Sequence, residues 1–438
     1  MSIKHRSLPP SLRKDKAITT FGMPKDCRVG ILSLGCPRNL VDSESILGRL
    51  KNKGYKIVDM DKAEVGVINT CAFIEEAKQE SIDAILDLVE LKKEGKLKKV
   101  IVCGCLPQRY KDLLRSELPE IDAFIGKISL NHDLQNYSLT PKHYRYLKIC
   151  EGCINACSFC VIPSIKGRFA SVEKESLIKK AKHFDIQGIS ELNIIGQDIT
   201  GYGLDLYGSF VLPELLNGIV KNTKNIGWIR LLYVYPSRLS DSLLSLMKEE
   251  PRICKYIDLP IQHINDRVLK LMNRQTAKKE IMKLIDKIRE IIPGVAIRTS
   301  LIVGFPSETD ANFKELLEFI REVKFERLGA FTYSAEEGTQ AATLGGQIPE
   351  KIKLERLNAI MIEQQGISCQ INQKFLGNTL EVLIDQKEND GYLGRTQFDA
   401  PEVDGLVYVN SSRQLKAGEF VKARIEDTLE YDLVGRVL

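Results

Sequence analysis

Between about residues 139 and 371 the chain repeats one unit six times: a short apolar run, then a stretch at helical spacing. The apolar runs are YRYLKIC, ELNIIGQD, WIRLLYVYP, YIDLPIQH, AIRTSLIVGFP and RLGAFTYS. Between them, SVEKESLIKKAKHF, EIMKLIDKIREII and NFKELLEFIREVKF place apolar residues three and four apart, as a helix with one buried stripe requires. Strands alternating with helices build a parallel sheet whose crossovers are the helices. Six units are too few to close an eight-stranded barrel. The pattern therefore predicts a partial, open (β/α)6 barrel of TIM type, with its chemistry at the carboxyl ends of the strands.

The flanks read differently. In residues 26–138, RVGILSLGC, EVGVINTC and KKVIVCGC read as strands, and SESILGRLKNKG and EEAKQESIDAILDLVELKKEG as helices, which predicts an N-terminal parallel α/β domain. In residues 372–438, TLEVLID, GLVYVN, FVKARIED and YDLVGRVL are short alternating runs split by Gly, Asn and Asp, as in a small antiparallel β-barrel of OB-like style. The fold class is thus α/β multidomain, with residues 1–25 as a basic, solvated extension.

Composition narrows the function classes. The 438 residues suit about three domains, and 43% apolar with 28% charged residues excludes wholesale disorder. No apolar run approaches the roughly 20 residues that cross a bilayer, and the basic N-terminus lacks the apolar stretch of a signal peptide. A soluble cytoplasmic chain is expected. Residues 1–28 hold seven Lys/Arg against two Asp/Glu, whereas residues 373–438 hold eight against twelve. An acidic C-terminal barrel is a poor surface for phosphate backbones and a better one for a basic protein.

The eleven cysteines matter by placement. Cys36, Cys71 and Cys105 each fall just past the carboxyl end of an N-terminal strand, the edge where open α/β sheets bind ligands. Thiolates suit iron–sulfur clusters, zinc or copper(I). With no fourth protein ligand evident, a cluster here keeps one coordination site open. Cys103 could share the face of Cys105, but Cys105 lies in the turn and is preferred. Cys27 reads as structural, and Cys254 and Cys369 as buried small hydrophobes. Cys150-Glu-Gly-Cys153-Ile-Asn-Ala-Cys157-Ser-Phe-Cys160 closes the first strand of the six-unit region. A zinc ribbon would part its C-x₂-C pairs by about 15–20 residues, and the bacterial ferredoxin order C-x₂-C-x₂-C-x₃-C-P does not match.

C-x₃-C-x₂-C after the first strand of such a barrel resembles the radical S-adenosylmethionine enzymes. There, three thiolates hold a 4Fe–4S cluster whose fourth iron takes the amino and carboxylate groups of S-adenosylmethionine, and reductive cleavage gives a 5′-deoxyadenosyl radical. Together with the three spaced N-terminal cysteines and a C-terminal TRAM barrel, the chain resembles the methylthiotransferases from about residue 26 onward. SLGCPRNLVDSE (33–44), NTCAFIEEAKQESIDAIL (69–86), FERLGAFTYSAEEGTQAA (325–342) and GRTQFDAPEVDGLVYV (394–409) look like the RimO type, which modifies an aspartate of ribosomal protein uS12. The alternative is the MiaB type, which thiomethylates a tRNA adenosine and resembles TFGCQMN where this chain has SLGCPRN. Two departures from the family pattern are Cys150, where a non-ligand residue is usual, and KGRFAS after the motif, where RG…SR is more usual.

The resemblance implies two 4Fe–4S clusters and S-adenosylmethionine. Cys36, Cys71 and Cys105 would hold the auxiliary cluster, in a methylthiotransferase domain at 26–138. Cys153, Cys157 and Cys160 would hold the radical-generating cluster, in a core at 139–371, with the TRAM domain at 372–438. Phe159 matches the position that lies against the adenine, and Gly196, Gln197, Asp198, Gln262, Arg298 and Gly304 would line the S-adenosylmethionine pocket. His263 could equally hydrogen-bond a loop. One S-adenosylmethionine would methylate a sulfur species on the auxiliary cluster. A second would give the radical that takes a hydrogen from the aspartate β-carbon, which then captures the methylthio group. The N-terminal domain is expected to cap the open barrel around a water-poor site. The implied partners are uS12, free or on the ribosome, and a reducing electron donor; no membrane is expected, and tRNA is the less favoured substrate.

Overall fold

The structure, a computed structural model, describes Pro24 and residues 26–127 and 137–438. Apart from Pro24, the basic segment 1–25 lies outside the described residues. The chain falls into two compact units, Met1–Leu139 with Ser164–Lys166, and Thr140–Pro163 with Gly167–Leu438. Among the described residues no helix is long and apolar enough to cross a membrane.

In the first unit five strands, β1 (Arg28–Ser33), β2 (Lys56–Ile57), β3 (Val65–Thr70), β4 (Lys99–Gly104) and β5 (Ala123–Ile125), form one sheet in the order β2-β1-β3-β4-β5. Every pairing is parallel. Central β3 is buried along its whole length, as a strand covered on both faces must be. β2 and β5 escape sequence reading because two or three residues carry no periodicity. Val29, Val65, Val67 and Ile101 pack with Leu50 from the helix Pro37–Asn52, and Cys27 and Cys103 join the same core. The Cys103 thiol donates to the Ile68 carbonyl at 3.3 Å, so it turns into the sheet and serves as a small core residue.

In the second unit the six apolar runs all become strands. They are β6 (Tyr144–Lys148), β9 (Glu191–Ile195), β10 (Trp228–Leu231), β11 (Tyr256–Asp258), β12 (Ala296–Val303) and β13 (Arg327–Thr332), while β7 (Cys150–Glu151) and β8 (Ala170–Ser171) make a short antiparallel pair. They align as β6-β9-β10 and β11-β12-β13, all parallel, and the Ile229–Ile253 bridge joins the two halves. Most strands are shorter than the apolar runs that predict them. The run ends, such as GQD after β9 and PIQH after β11, leave the sheet to form the mouth of the open barrel.

The remaining strands, β14 (Thr379–Glu388), β15 (Gly391–Arg395), β16 (Val407–Asn410), β17 (Phe420–Thr428) and β18 (Leu433–Val437), close into a barrel in the order β14-β15-β16-β18-β17. It surrounds Val382, Ile384, Val407, Val409, Val421 and Ile425. The expected antiparallel barrel holds with one correction: β16 and β18 pair in parallel. Because β17 pairs with both β14 and β18, β18 must enter between β17 and β16, and there it runs in the direction of β16.

The loop after β15 covers the amino ends of the core strands. Arg327, at the start of β13, donates to Asp399. Tyr256, at the start of β11, donates to Asp404 at 2.7 Å. Glu191, at the start of β9, accepts from Arg230 and Arg395, both at 2.7 Å. Arg395 in turn pairs with Asp385 at 2.8 Å. Buried charges persist only when paired, so this lattice ties the small barrel to the core. It also absorbs much of the acidic surplus of residues 373–438. Asp385, Asp399 and Asp404 face inward, which weakens the charge argument for a basic substrate. The opposite, carboxyl end is left for chemistry.

Candidate metal centres

Three thiols leave three neighbouring strands at one edge of the first sheet. Cys36 follows β1 and caps the helix Pro37–Asn52, Cys71 follows β3, and Cys105 follows β4 and starts the helix Cys105–Glu117. Since β1, β3 and β4 are adjacent and parallel, the trio shares the carboxyl edge. Gly35 makes the approach possible: a Cβ there would stand 2.7 Å from Cys71 Cβ, and its φ of +84° suits glycine.

Asn39 stitches the three loops together, a role missed in the sequence. Its Nδ2 donates to Leu34 O at 3.1 Å and Thr70 O at 3.0 Å, and its Oδ1 accepts from the Cys105 thiol at 3.7 Å. Asn69 donates to the Asn39 carbonyl at 2.8 Å, and Ser81 Oγ bonds both the N–H and the C=O of Cys71. A hint was present: Asn69 and Thr70 are polar residues ending an otherwise apolar central strand.

The thiols differ electrically. Burial works to raise Cys36, yet the charge and N–H of Arg38, whose Nε lies 3.4 Å from the sulfur, bring it below the usual thiol value. Burial and the neighbouring Cys36 raise Cys71, and burial pushes Cys105 up to about 12, with Cys71 and Cys36 adding to it.

The second trio lies in the loop after β7. Cys153 Sγ accepts from Asn155 N at 3.4 Å and Nδ2 at 3.3 Å, and Cys157 Sγ accepts from Arg274 Nη1 at 3.6 Å. Cys160 N bonds Cys157 O at 3.1 Å, closing a tight turn. Asn155 is held in place by Asp198 Oδ2 at 2.8 Å and by Arg238 at 2.7 Å. Cys150 is different: it is fully buried, and its thiol donates to the Asp198 carbonyl at 3.6 Å.

Among the described residues no three His, Cys, Asp or Glu side chains converge as the ligands of one ion would. Two sets of three thiols, each with N–H donors aimed at sulfur, fit clusters held by thiolates. Of the lone cysteines, Cys254 is buried as expected, whereas Cys369 on the helix Glu350–Gln373 is partly exposed.

The other sequence-derived candidates divide. Gly196, Gln197 and Asp198 lie against the cysteine loop. A Cβ at Gly196 would meet Cys150 Sγ at 2.5 Å, and Gln197 donates to Glu151 at 3.0 Å while its Oε1 is buried without a partner. Phe159 meets Phe305 edge-on at 6.5 Å beside Gly304, whose φ of +70° and contact with the Lys353 stem leave no room for a Cβ. Gln262 sits at the mouth, bridged to Leu301 with φ +76°. His263 accepts from Asn265 N at 3.0 Å, a loop contact. Arg298 stands apart. It lies near the start of β12 and pairs with Asp258, the last residue of β11, at 3.2 Å and with Asp404, in the loop under the core, at 3.3 Å.

Comparison with known proteins places three families along the chain: Uncharacterized protein family UPF0004 at residues 28–126, Radical SAM superfamily at 147–320 and TRAM domain at 376–438. A relative from Clostridioides difficile, named ribosomal protein uS12 methylthiotransferase RimO, is 47% identical over 94% of this chain and 99% of its own. One of the same name from Bacteroides thetaiotaomicron is 43% identical over 94% of this chain and 98% of its own. In fold alone, the chain resembles the radical S-adenosylmethionine methyltransferase TsrM from Kitasatospora setae. The TM-score is 0.51 at 12% identity, covering 78% of this chain and 89% of that one.

Proposed function

We infer what this chain does from the family to which it belongs, the ribosomal protein uS12 methylthiotransferases of RimO type. It is a radical S-adenosylmethionine methylthiotransferase, using two 4Fe–4S clusters and S-adenosylmethionine to place a methylthio group on the β-carbon of an aspartate of uS12. The observation that carries the reading is the pair of thiol trios, the first at the carboxyl edge of a parallel sheet and the second in the loop after β7, just beyond the parallel strand β6.

We assign Cys36, Cys71 and Cys105 to the auxiliary cluster and Cys153, Cys157 and Cys160 to the radical-generating one. When bound, the clusters and S-adenosylmethionine supply the electron, the radical and the sulfur chemistry. The chain's own residues supply position and charge. Asn39 and Ser81 hold the first trio's loops, Arg38 favours the thiolate of Cys36, and Asn155 and Arg274 donate to the second trio's sulfurs. Phe159, Gly196, Gln197, Asp198, Gln262 and Gly304 remain the proposed lining of the S-adenosylmethionine pocket. Arg298 is set apart from that lining, because it reaches Asp404 in the loop beneath the core as well as Asp258 at the end of β11. The division at 26–138, 139–371 and 372–438 draws support from the spans of the three family matches. The cytoplasm is the proposed compartment, where a ribosomal protein is met and thiols stay reduced.

The test is the intact mass of uS12 from cells lacking their own modifying enzyme, with and without this chain. The expected result is a gain of about 46 Da on the aspartate, a methylthio group replacing hydrogen. No gain with iron-replete, S-adenosylmethionine-cleaving protein would reject the substrate and direct the search to tRNA nucleosides.

A further inference from the structure

The segment Leu271–Arg274, which ends the helix Asp266–Leu271 and leads toward the helix Lys278–Ile291, is bonded along the cysteine loop. Leu271 O accepts from Ser158 Oγ at 2.7 Å, Met272 O from Ser158 N at 3.0 Å, and Asn273 Nδ2 donates to Ala156 O at 2.6 Å. Asn273 has φ +55°, a left-handed turn that Asn tolerates better than most residues. That turn precedes Arg274, whose Nη1 meets Cys157 Sγ at 3.6 Å and whose Nη2 donates to Pro260 O at 2.6 Å. The guanidinium carbon lies 4.2 Å from the Tyr235 ring centroid, and that of Arg238 lies 4.4 Å from the same ring. A planar cation anchored at a carbonyl, a ring and a sulfur is held where a flexible ammonium would not be.

We propose that Arg274 is a positioning residue that sets the reduction potential of the cluster held by Cys153, Cys157 and Cys160. This rests on the ligand assignment made above. A fixed positive charge and an N–H bond at a ligand sulfur favour the more negative, reduced state of a cluster, and so raise its potential. The Pro260 carbonyl and the Tyr235 ring orient Arg274 toward the sulfur, while the bonds from Leu271, Met272 and Asn273 keep the sulfur in place.

The experiment uses the full chain with Cys36, Cys71 and Cys105 changed to Ala, reconstituted with iron and sulfide so that one cluster gives the signal. Its potential is read by redox titration followed by electron paramagnetic resonance. In Arg274→Gln, at the parent's midpoint, the reduced-to-oxidised ratio is expected to fall about tenfold, equivalent to about 59 mV for one electron. Arg274→Lys, which keeps the charge but cannot bridge sulfur and carbonyl together, is expected to fall between the two. An unshifted midpoint in Arg274→Gln overturns the proposal. If that variant holds no cluster, an unshifted midpoint in Arg274→Lys overturns it instead. A parent protein that binds no cluster refutes the ligand assignment, and this proposal with it.

Discussion

Arg327 donates from Nε to Oδ1 of Asp399 at 2.8 Å, joining the first residue of β13 to the loop that follows β15. Their side chains are 9% and 3% exposed, and Thr396 Oγ1 adds a bond to the same carboxylate at 2.6 Å. Removing one partner strands a buried charge, which costs about 3–5 kcal/mol. Asp399→Ala is therefore expected to lower stability to urea by that amount. Arg327→Met with Asp399→Leu should recover most of the loss, since an apolar pair of similar volume is often neutral in such a place. A loss near zero in the single variant would mean that water reaches the seam.

His263 gives the chain an acid sensitivity of defined sign. Burial lowers its pKa to about 3, and Glu308, 3.8 Å from its Nε2, is already paired with Arg356 at 2.9 Å. An ordinary histidine titrates near 6.5. Between the two values the unfolded chain binds a proton that the folded chain refuses, so stability falls as the pH falls, by about 1.4 kcal/mol per unit. From pH 7 to pH 5 the loss from this group is about 2 kcal/mol. His263→Gln should remove that part of the slope in denaturation series at the two pH values. An unchanged slope would place the titrating group elsewhere.

His263 and Arg298 mark what was legible in the sequence. Local periodicity located all six core strands and the turns after them, so the thiols and the loop role of His263 could be read from a few neighbouring residues. Arg298 could not. Membership of β12 suggests a residue of the mouth, yet Arg298 lies near the strand's start and finds Asp404 more than a hundred residues later. The acidic barrel points to the right class of substrate, but part of its charge is taken up by Arg298 and Arg327, which lie in another part of the chain. The parallel closure of β16 on β18 follows from which strand β17 pairs with, and no single run of residues encodes that.

Gly35 should be irreplaceable for the first trio and dispensable for the second. Alanine there meets the Cys71 side chain at 2.7 Å in a backbone conformation of φ +84°. Either Cys71 or the Cys36 loop must shift. Gly35→Ala is expected to halve the iron content of the reconstituted protein while leaving S-adenosylmethionine cleavage in place. Gly54→Ala is the control: its φ is +91° with nothing within 4 Å, so it carries backbone strain without a clash and should keep all its iron. Equal iron in both variants would show that the Cys71 loop yields without losing its ligands.

The two trios make separable demands on the reaction. Cys157 takes a hydrogen bond from Arg274 in the second unit, whereas Cys71 is held by Ser81 in the first, so each can be removed without touching the other's supports. Cys157→Ala is expected to abolish reductive cleavage of S-adenosylmethionine, measured as 5′-deoxyadenosine under strong reductant. Cys71→Ala should still produce 5′-deoxyadenosine but transfer no methylthio group to uS12. Because the second variant keeps the radical half of the chemistry, its failure at transfer cannot be ascribed to a misfolded core. Methylthio transfer by Cys71→Ala would remove that residue from the auxiliary site, and loss of cleavage in it would mean that the two sites depend on one another.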